Sequence, residues 1–518
     1  MPRGSLALGA VALIAMLGFV MVLLATPMGI GISPDSIAYI SAARNLLSGN
    51  GLTVSYDLAP EGKHLQSWIQ ERWGYPALLA AAGAFGADPL VAARWVSAIF
   101  FAANIFLAGF IILRQPCGRN WLLPPATSLL MMLSVESMLL VHSMAWSEPP
   151  FIFFGFLGVY LLSGYLDKGR FWRLLGAAAA IAAASAMRLA GVAFIAAGIV
   201  TMALTSRERL WKKAVDSVIF LSISGGVFAV WFYRKAADMA ETFSFHRITS
   251  QHLKILCKAM GQWLPMGMVS RVAAGILLLA IGAAIIAGLI RFARNRRSKA
   301  EQLLLSSNLP VLLSAFIFFH ICFYAGVVSF VSIESGLNTR NYAPLFVAIL
   351  ILAMCMSGPL LGVFLRDEGR CKKALAVLCA IFIVGYAARS AVWFFNVRKD
   401  GQEFASRIFQ ESEVLCLVKD LPAQTLIFSN LPEAVYIVTG RSAYLVPKKN
   451  LLGSTIVRRE LEAELDCMQK YMRHKKSKFV FIQGLERSFL VSLDVLIDRL
   501  HLRLVSQARD GAIYEAAD

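Results

Sequence analysis

Apolar stretches of roughly 17–25 residues recur along the first three quarters of this chain, each long enough to cross ~30 Å of hydrocarbon. About eleven can be drawn: 6–27, 89–113, 121–142, 148–166, 172–187, 189–205, 214–233, 269–290, 309–331, 341–364 and 374–395. The pair 172–187 and 189–205 is the shortest of the set. With 58% hydrophobic and 16% charged residues among 518, an ordinary soluble domain is excluded. The fold class is a polytopic α-helical membrane protein.

Lys and Arg orient the spans. With a cytoplasmic N-terminus, the inner loops hold Arg114 and Arg119, then Lys168, Arg170 and Arg173, then Arg207, Arg209, Lys212 and Lys213. Two further inner loops hold Arg291, Arg294, Arg296, Arg297 and Lys299, and Arg366, Arg370, Lys372 and Lys373. The short outer loops are nearly uncharged. Much of the +18 net charge is therefore topology signal, and no nucleic-acid partner is needed to explain it. The first run follows Met-Pro-Arg as a signal peptide would. It spans about 22 residues without a clear A-x-A cleavage site, and reads as a retained helix. Eight cysteines show no metal-ligand spacing. Cys416 and Cys467 both fall outside, where an oxidising compartment would permit a disulfide between them.

A division follows from composition: a transmembrane part, 1–395, whose first outer loop is 28–88, and an outer domain, 396–518. The loop holds helix-like stretches at 34–48 and 75–86 around a polar segment. The tail alternates β-rich runs (Thr425–Phe428, Lys478–Ile482, Leu502–Ser506) with helical patterns at 455–473 and 487–500, the mark of a small α/β domain.

Ser33-Pro34-Asp35-Ser36 reads as a helix start, with Ser33 as cap and Pro34 in the first turn. Asp35 there either complements the helix dipole or carries chemistry. Tyr39, four residues on, shares its face and suits orienting the carboxylate or a substrate hydroxyl. Glu148 admits the same two readings after Ser147. Arg188 and Arg340 lie at outer helix ends, on the side that the basic loops avoid. They either snorkel to headgroups or hold an anion. His142 and Glu136 form a weak metal-ligand candidate beside Glu148, and His246 and His252 a weaker one. No glycine-rich phosphate loop is present, which disfavours a nucleotide-sugar donor.

Pro34-Asp35-Ser36-x-x-Tyr39-x-x-Ala42-Ala43-Arg44-Asn45-Leu46-Leu47, followed by Gly74-Tyr75-Pro76-Ala77-Leu78-Leu79, resembles the first outer loop of C-type (GT-C) glycosyltransferases. The branch is that of protein O-mannosyltransferases and the lipid A aminoarabinose transferase. Ala145-Trp146-Ser147-Glu148-Pro149 resembles the Ser-Glu-Pro that opens a later span in such enzymes. Arg188-Leu189-Ala190-Gly191 is similar to their Arg-Tyr-x-Gly element, and Asn338-Thr339-Arg340-Asn341-Tyr342-x-x-Pro344 to their Arg-Tyr-Leu-x-Pro motif. In the tail, Phe428-Ser429-Asn430-Leu431-Pro432 and Tyr436-x-x-Thr439-Gly440-Arg441 are similar to the end domain of many relatives. Three departures stand out. Ser36 replaces a second acid on which a metal site relies, Arg72-Trp73 precedes Gly74-Tyr75-Pro76 in place of Pro-Pro, and Asn341 separates Arg340 from Tyr342.

The resemblance implies transfer of a sugar from a polyprenyl-phosphate donor to a glycan, lipid or protein acceptor, outside the membrane and with inversion. Asp35 is then the general base. Arg340 and Arg188 stabilise the departing lipid phosphate, where a guanidinium offers paired donors. Glu148 binds a sugar hydroxyl or a divalent metal, and Tyr39, Tyr75, Tyr342 and Arg72 complete the substrate site, Arg72 contacting either a phosphate or headgroups. A bacterial inner membrane, with the site facing the periplasm or exterior, fits this layout. The rival readings are a transporter or lipid flippase, which would set ionisable groups near the midplane, and a non-catalytic assembly subunit with the same fold.

Overall fold

A computed structural model describes residues 2–55, 66–67, 73–206, 208–235, 250–264, 275, 282, 307–330, 339–364, 368–450, 458–474, 477–484 and 487–517. The chain divides into two compact units. The first comprises Met1–Ala25, Glu71–Tyr75 and Arg94–Asn396, and the second Thr26–Gln70, Pro76–Ala93 and Val397–Asp518. The helix Pro34–Leu47 therefore belongs to the unit that contains the tail.

The first unit is a helical bundle and spans the membrane more than once. Among the described residues, six helices are long and apolar enough to cross: Arg3–Ala25, Pro89–Leu113, Glu148–Lys168, Leu309–Phe330, Thr339–Ser357 and Gly369–Asp400. A seventh is the bent pair Leu123–Leu133 and Val135–His142, which turn by 69° at Ser134. The stretch 121–142 is thus broken rather than straight. Ser134 is extended, and the next turn is a π-helix, Val135–Leu139. The short pair is also real as helices, Phe171–Met187 and Val192–Thr205, parted at Arg188. His246 and all of the stretch 269–290 but residues 275 and 282 lie outside the described residues.

Bundle packing relies on small residues that let helices approach closely. On helix Glu148–Lys168, a Cβ at Gly155 would stand 2.3 Å from the Phe194 ring, and one at Gly158 2.5 Å from Ile181. Filling the bundle behind them is an aromatic column. Phe194 stacks on Phe316 at 4.1 Å, Phe316 meets His320 at 5.1 Å, His320 meets Tyr324 at 5.0 Å, and Tyr324 meets Tyr342 at 5.9 Å.

The second unit is built on a five-stranded sheet in the order β4-β3-β5-β7-β6. Its strands are β3 (Ile427–Ser429), β4 (Tyr444–Leu445), β5 (Lys478–Ile482), β6 (Leu502–Ala508) and β7 (Gly511–Ala516). The pairs β3–β4 and β3–β5 are parallel, and β5–β7 and β6–β7 antiparallel. A short antiparallel pair, β1 (Thr53–Val54) and β2 (Gln66–Ser67), precedes them. Alternation along the strands sorts residues onto two faces. Ile427, Val480, Ile482 and Ile513 pack with Val414, Leu415 and Val418 and with Ile32 and Ile37. Phe428 and Phe479 face the other way, onto Leu465, Met468, Met472, Leu496 and Leu500.

That sorting separates Cys416 from Cys467. Cys416 rides on helix Glu413–Asp420 on one face, and Cys467 on helix Leu461–His474 on the other. Neither is in a disulfide, and the sheet between them rules out the bridge that a shared compartment allowed.

Candidate active site

Helix Glu148–Lys168 starts with Pro149 and Pro150 in its first turn, where missing N–H groups cost nothing. Glu148 is 1% exposed. Its turn is anchored from the neighbouring helix, because Asn104 Nδ2 donates to the Pro149 carbonyl at 3.0 Å. The same amide lies 3.0 Å from His142 Nε2, and His142 Nδ1 lies 2.7 Å from the Met138 carbonyl. Both ring nitrogens of His142 are thereby engaged. The metal-ligand reading of His142 and Glu136 is corrected accordingly, for Glu136 pairs with Arg389 at 3.6 Å. Such a ring braces the start of the Glu148 helix.

Arg188 sits in a break. Helix Phe171–Met187 ends before it, Arg188 is extended (φ −153°, ψ 140°), and a 3-10 turn, Leu189–Gly191, follows. Two glycines permit this return. A Cβ at Gly191 would meet Ser185 Cα at 2.6 Å, and one at Gly74 would meet the Ala186 carbonyl carbon at 2.7 Å. The Gly74-Tyr75 start therefore presses on the backbone two residues ahead of Arg188. Tyr75 itself is fully buried.

The guanidinium of Arg188 uses its fork in two directions. Nη1 donates to Glu148 Oε1 at 2.7 Å and reaches Ser147 Oγ at 3.4 Å, while Nη2 donates to Asn341 Oδ1 at 3.0 Å. Arg340 Nε stands 3.6 Å from the same Glu148 oxygen, with its guanidinium 4.6 Å over the Trp146 ring. Arg340, Asn341 and Tyr342 belong to one 3-10 turn, Thr339–Tyr342. Its Asn341 carbonyl lies 3.1 Å from His320 Nε2. Three sequence-predicted residues, Glu148, Arg188 and Arg340, thus converge, and Tyr342 is buried in the aromatic column beside them.

Two arginines converging on one buried carboxylate make a cluster that is costly to assemble without purpose. Arg188 and Glu148 are hydrogen-bonded, which offsets part of that cost. Among the described residues, Glu148 Oε2 has no hydrogen-bond partner. Planar guanidiniums fixed in this way suit an oxyanion such as a phosphate. Asn341 and His320 had no assigned role from the sequence. Asn341 stood there as an interruption of a motif, whereas it bridges Arg188 to the Arg340 turn. His320 showed no local signal at all in an apolar run.

Asp35 belongs to the second unit. Helix Pro34–Leu47 is capped by Ser33, whose Oγ accepts the Ser36 N–H at 3.4 Å, while Ser36 Oγ accepts the Ser33 N–H at 3.0 Å. Serines therefore do the capping, and Asp35 is partly exposed in the first turn. Tyr39 is buried one turn on, on the same helix as Asp35. A metal site needing a second acid finds Ser36 engaged in the cap. Among the described residues no three His, Cys, Asp or Glu side chains converge. Arg72 lies outside the described residues.

Known structures share this architecture end to end. ArnT from Cupriavidus metallidurans in the apo state superposes with a TM-score of 0.56 at 14% identity, covering 98% of this chain and 97% of that one. The same protein bound to undecaprenyl phosphate gives 0.54 at 14% identity, covering 98% of both. An Archaeoglobus fulgidus oligosaccharyltransferase, tethered with an acceptor peptide containing the NVT sequon, gives 0.50 at 9% identity over 90% of this chain and 68% of that one. The chain has the GT-C fold. No protein-family model and no curated protein matches the sequence. The GT-C fold is thus carried by helix layout and a C-terminal sheet, at identities where sequence comparison is silent.

Proposed function

We propose that this protein is a glycosyltransferase that moves a sugar from a polyprenyl-phosphate carrier to an acceptor on the extracytoplasmic side of a bacterial inner membrane. The observation that carries the reading is the buried Glu148–Arg188–Arg340 cluster in a chain with the GT-C fold. In support, the ArnT structure was solved with undecaprenyl phosphate, a ligand of the class this cluster would recognise. Arg188 and Arg340 would hold the lipid phosphate and stabilise its charge as the anomeric C–O bond breaks. Glu148 orients both guanidiniums, and Asn341 and Trp146 complete their positioning. Asp35 takes the proton of the acceptor hydroxyl as that oxygen attacks the anomeric carbon from the opposite face, which inverts it. The products are the glycosylated acceptor and free polyprenyl phosphate. Division at 395/396 into a catalytic membrane part and an outer domain belongs to the same proposal.

The test is release of free polyprenyl phosphate from a panel of polyprenyl-phosphate sugars, with host extract supplying acceptors. Membranes carrying the wild-type chain are compared with membranes carrying Asp35→Asn at equal protein level. Turnover of one donor, lost in the variant, is the expected result. Turnover indifferent to Asp35→Asn would remove Asp35 as base, and no turnover with any donor would count against the transferase reading.

A further inference from the structure

Helix Glu148–Lys168 carries Glu148 at one end and Asp167 and Lys168 at the other, 21 residues and about 30 Å apart. At that far end, on the opposite membrane face from the arginine cluster, the first unit has an open concavity of about 600 Å³. Its walls come from four helix ends. Arg3 comes from the first helix, Arg114 precedes and Arg119 ends the turn after Pro89–Leu113, Lys168 closes its helix, and Ser307 precedes Leu309–Phe330. Trp121 adds an aromatic edge.

The walls are fixed rather than incidental. Pro116–Arg119 is a 3-10 turn folded so tightly onto the preceding helix that a Cβ at Gly118 would stand 2.4 Å from the Ile112 carbonyl oxygen. On the other side Asp167 accepts from the Asn308 backbone at 2.9 Å and from its side chain at 2.8 Å, and Ser307 reaches its second oxygen at 3.3 Å. Asp167, the sole acid lining the concavity among the described residues, is therefore engaged in closing the wall. Among the described residues, Arg3, Arg114, Arg119 and Lys168 make no ion pair. Among the described lining residues four cations thus face one carboxylate, Asp167, which is hydrogen-bonded into the wall and paired with none of them, leaving an excess of positive charge.

We propose that this concavity binds a phosphate group, with the phosphodiester headgroup of an anionic phospholipid as its favoured source. Basic pockets between membrane helices hold such headgroups, since each cation near the surface adds to the attraction. Positive charge on this face also orients the chain, but orientation requires only the charges and not a walled site. The inference stands independently of the transferase reading, because it uses none of the residues assigned to that site.

The full chain, purified and reconstituted in vesicles of phosphatidylcholine with a minor fraction of phosphatidylglycerol, is extracted and its retained lipids are counted by native mass spectrometry. Three chains are compared: wild type, Arg114→Gln/Arg119→Gln, and Arg170→Gln/Arg209→Gln, the last removing two exposed cations that do not line the concavity. Phosphatidylglycerol should be retained over phosphatidylcholine by wild type and by the Arg170/Arg209 variant. In the Arg114/Arg119 variant the preference should fall roughly thirtyfold, about 2 kcal/mol for two cations. Inorganic pyrophosphate supplied to the protein in pure phosphatidylcholine is the second arm. Saturable binding there, sensitive to the Arg114/Arg119 pair and without lipid enrichment, would assign the site to a soluble phosphate. Equal lipid retention in all three chains, or equal loss in both variants, with no pyrophosphate binding, would overturn the proposal.

Discussion

Two helix starts in this molecule look alike as sequence and are used in opposite ways. Ser33-Pro34-Asp35-Ser36 and Ser147-Glu148-Pro149-Pro150 each place an acid in a first turn beside serine and proline. Either acid could merely complement a helix dipole. At the first, Ser33 and Ser36 form the cap between themselves, and Asp35 stands partly exposed. At the second no side-chain cap forms, the carboxylate is buried, and its oxygen is committed to Arg188 and close to Arg340. An accessible carboxylate suits proton transfer. A buried one in ion pairs suits holding other groups still.

The sharpest way to break this contrast is to delete each acid in turn. Asp35→Asn should lower donor turnover by roughly 10²–10⁴-fold, as expected for a lost general base, and should shift stability by no more than about 0.5 kcal/mol. Glu148→Ala should instead destabilise the protein by about 3–5 kcal/mol, because it strands buried Arg188 without its ion-pair partner. Denaturation of both variants in detergent, beside the turnover assay, reads the two effects separately. A stable Glu148→Ala protein would end the distinction.

Arg188→Lys sharpens the second half. A lysine ammonium lacks the planar fork whose two nitrogens serve Glu148 and Asn341 separately. Turnover should fall by roughly 10–100-fold, the equivalent of a lost hydrogen bond to a charged group, and Asn341→Ala should raise the donor KM in the same direction. Gly74→Ala is a smaller, indirect probe. Its methyl would press on the Ala186 backbone ahead of Arg188, costing about 1–3 kcal/mol in the melting transition.

The smallest effect belongs to the second unit. Arg44 and Asp88 pair at 2.9 Å on the surface. Burial pushes the Asp88 carboxyl up, but the Arg44 hydrogen bond and the Leu90 N–H outweigh it, and the group titrates below its usual range. A carboxylate lowered in the fold contributes stability that is fully present above its unfolded pKa and lost as pH falls through the folded value. Arg44→Ala should therefore cost no more than about 1 kcal/mol near neutrality, and the difference from wild type should vanish in acid. A difference that grew in acid would contradict the assignment.

Much of this organisation is legible from the residues, and the exceptions have physical causes. Hydropathy locates helix Pro89–Leu113 to the residue and the tail strand Lys478–Ile482 likewise, since both are apolar over most of their length. It could not report that 121–142 bends by 69°, because a π-turn after Ser134 leaves composition unchanged. Strand Gly511–Ala516 and helix Pro432–Thr439 were missed, being short and stabilised by neighbours rather than by their own pattern. Within the site, charge drew attention to Glu148, Arg188 and Arg340. Asn341 and His320 act through hydrogen bonds to partners 153 and 21 residues away, which no local pattern encodes. Arg441, noted only as part of a motif, clamps the carbonyls of Val418, Leu421, Pro422 and Thr425 and is structural.

The most direct measurement is equilibrium binding of undecaprenyl phosphate to the purified chain, in wild type and in Arg188→Gln and Arg340→Gln. If the buried arginines hold the lipid phosphate, wild type should bind saturably and each variant, compared at equal folded fraction because losing a partner of Glu148 also destabilises, should lose about 1.5–3 kcal/mol, roughly 10–100-fold in Kd. Binding of equal strength in all three would contradict that assignment and move the lipid phosphate away from this cluster.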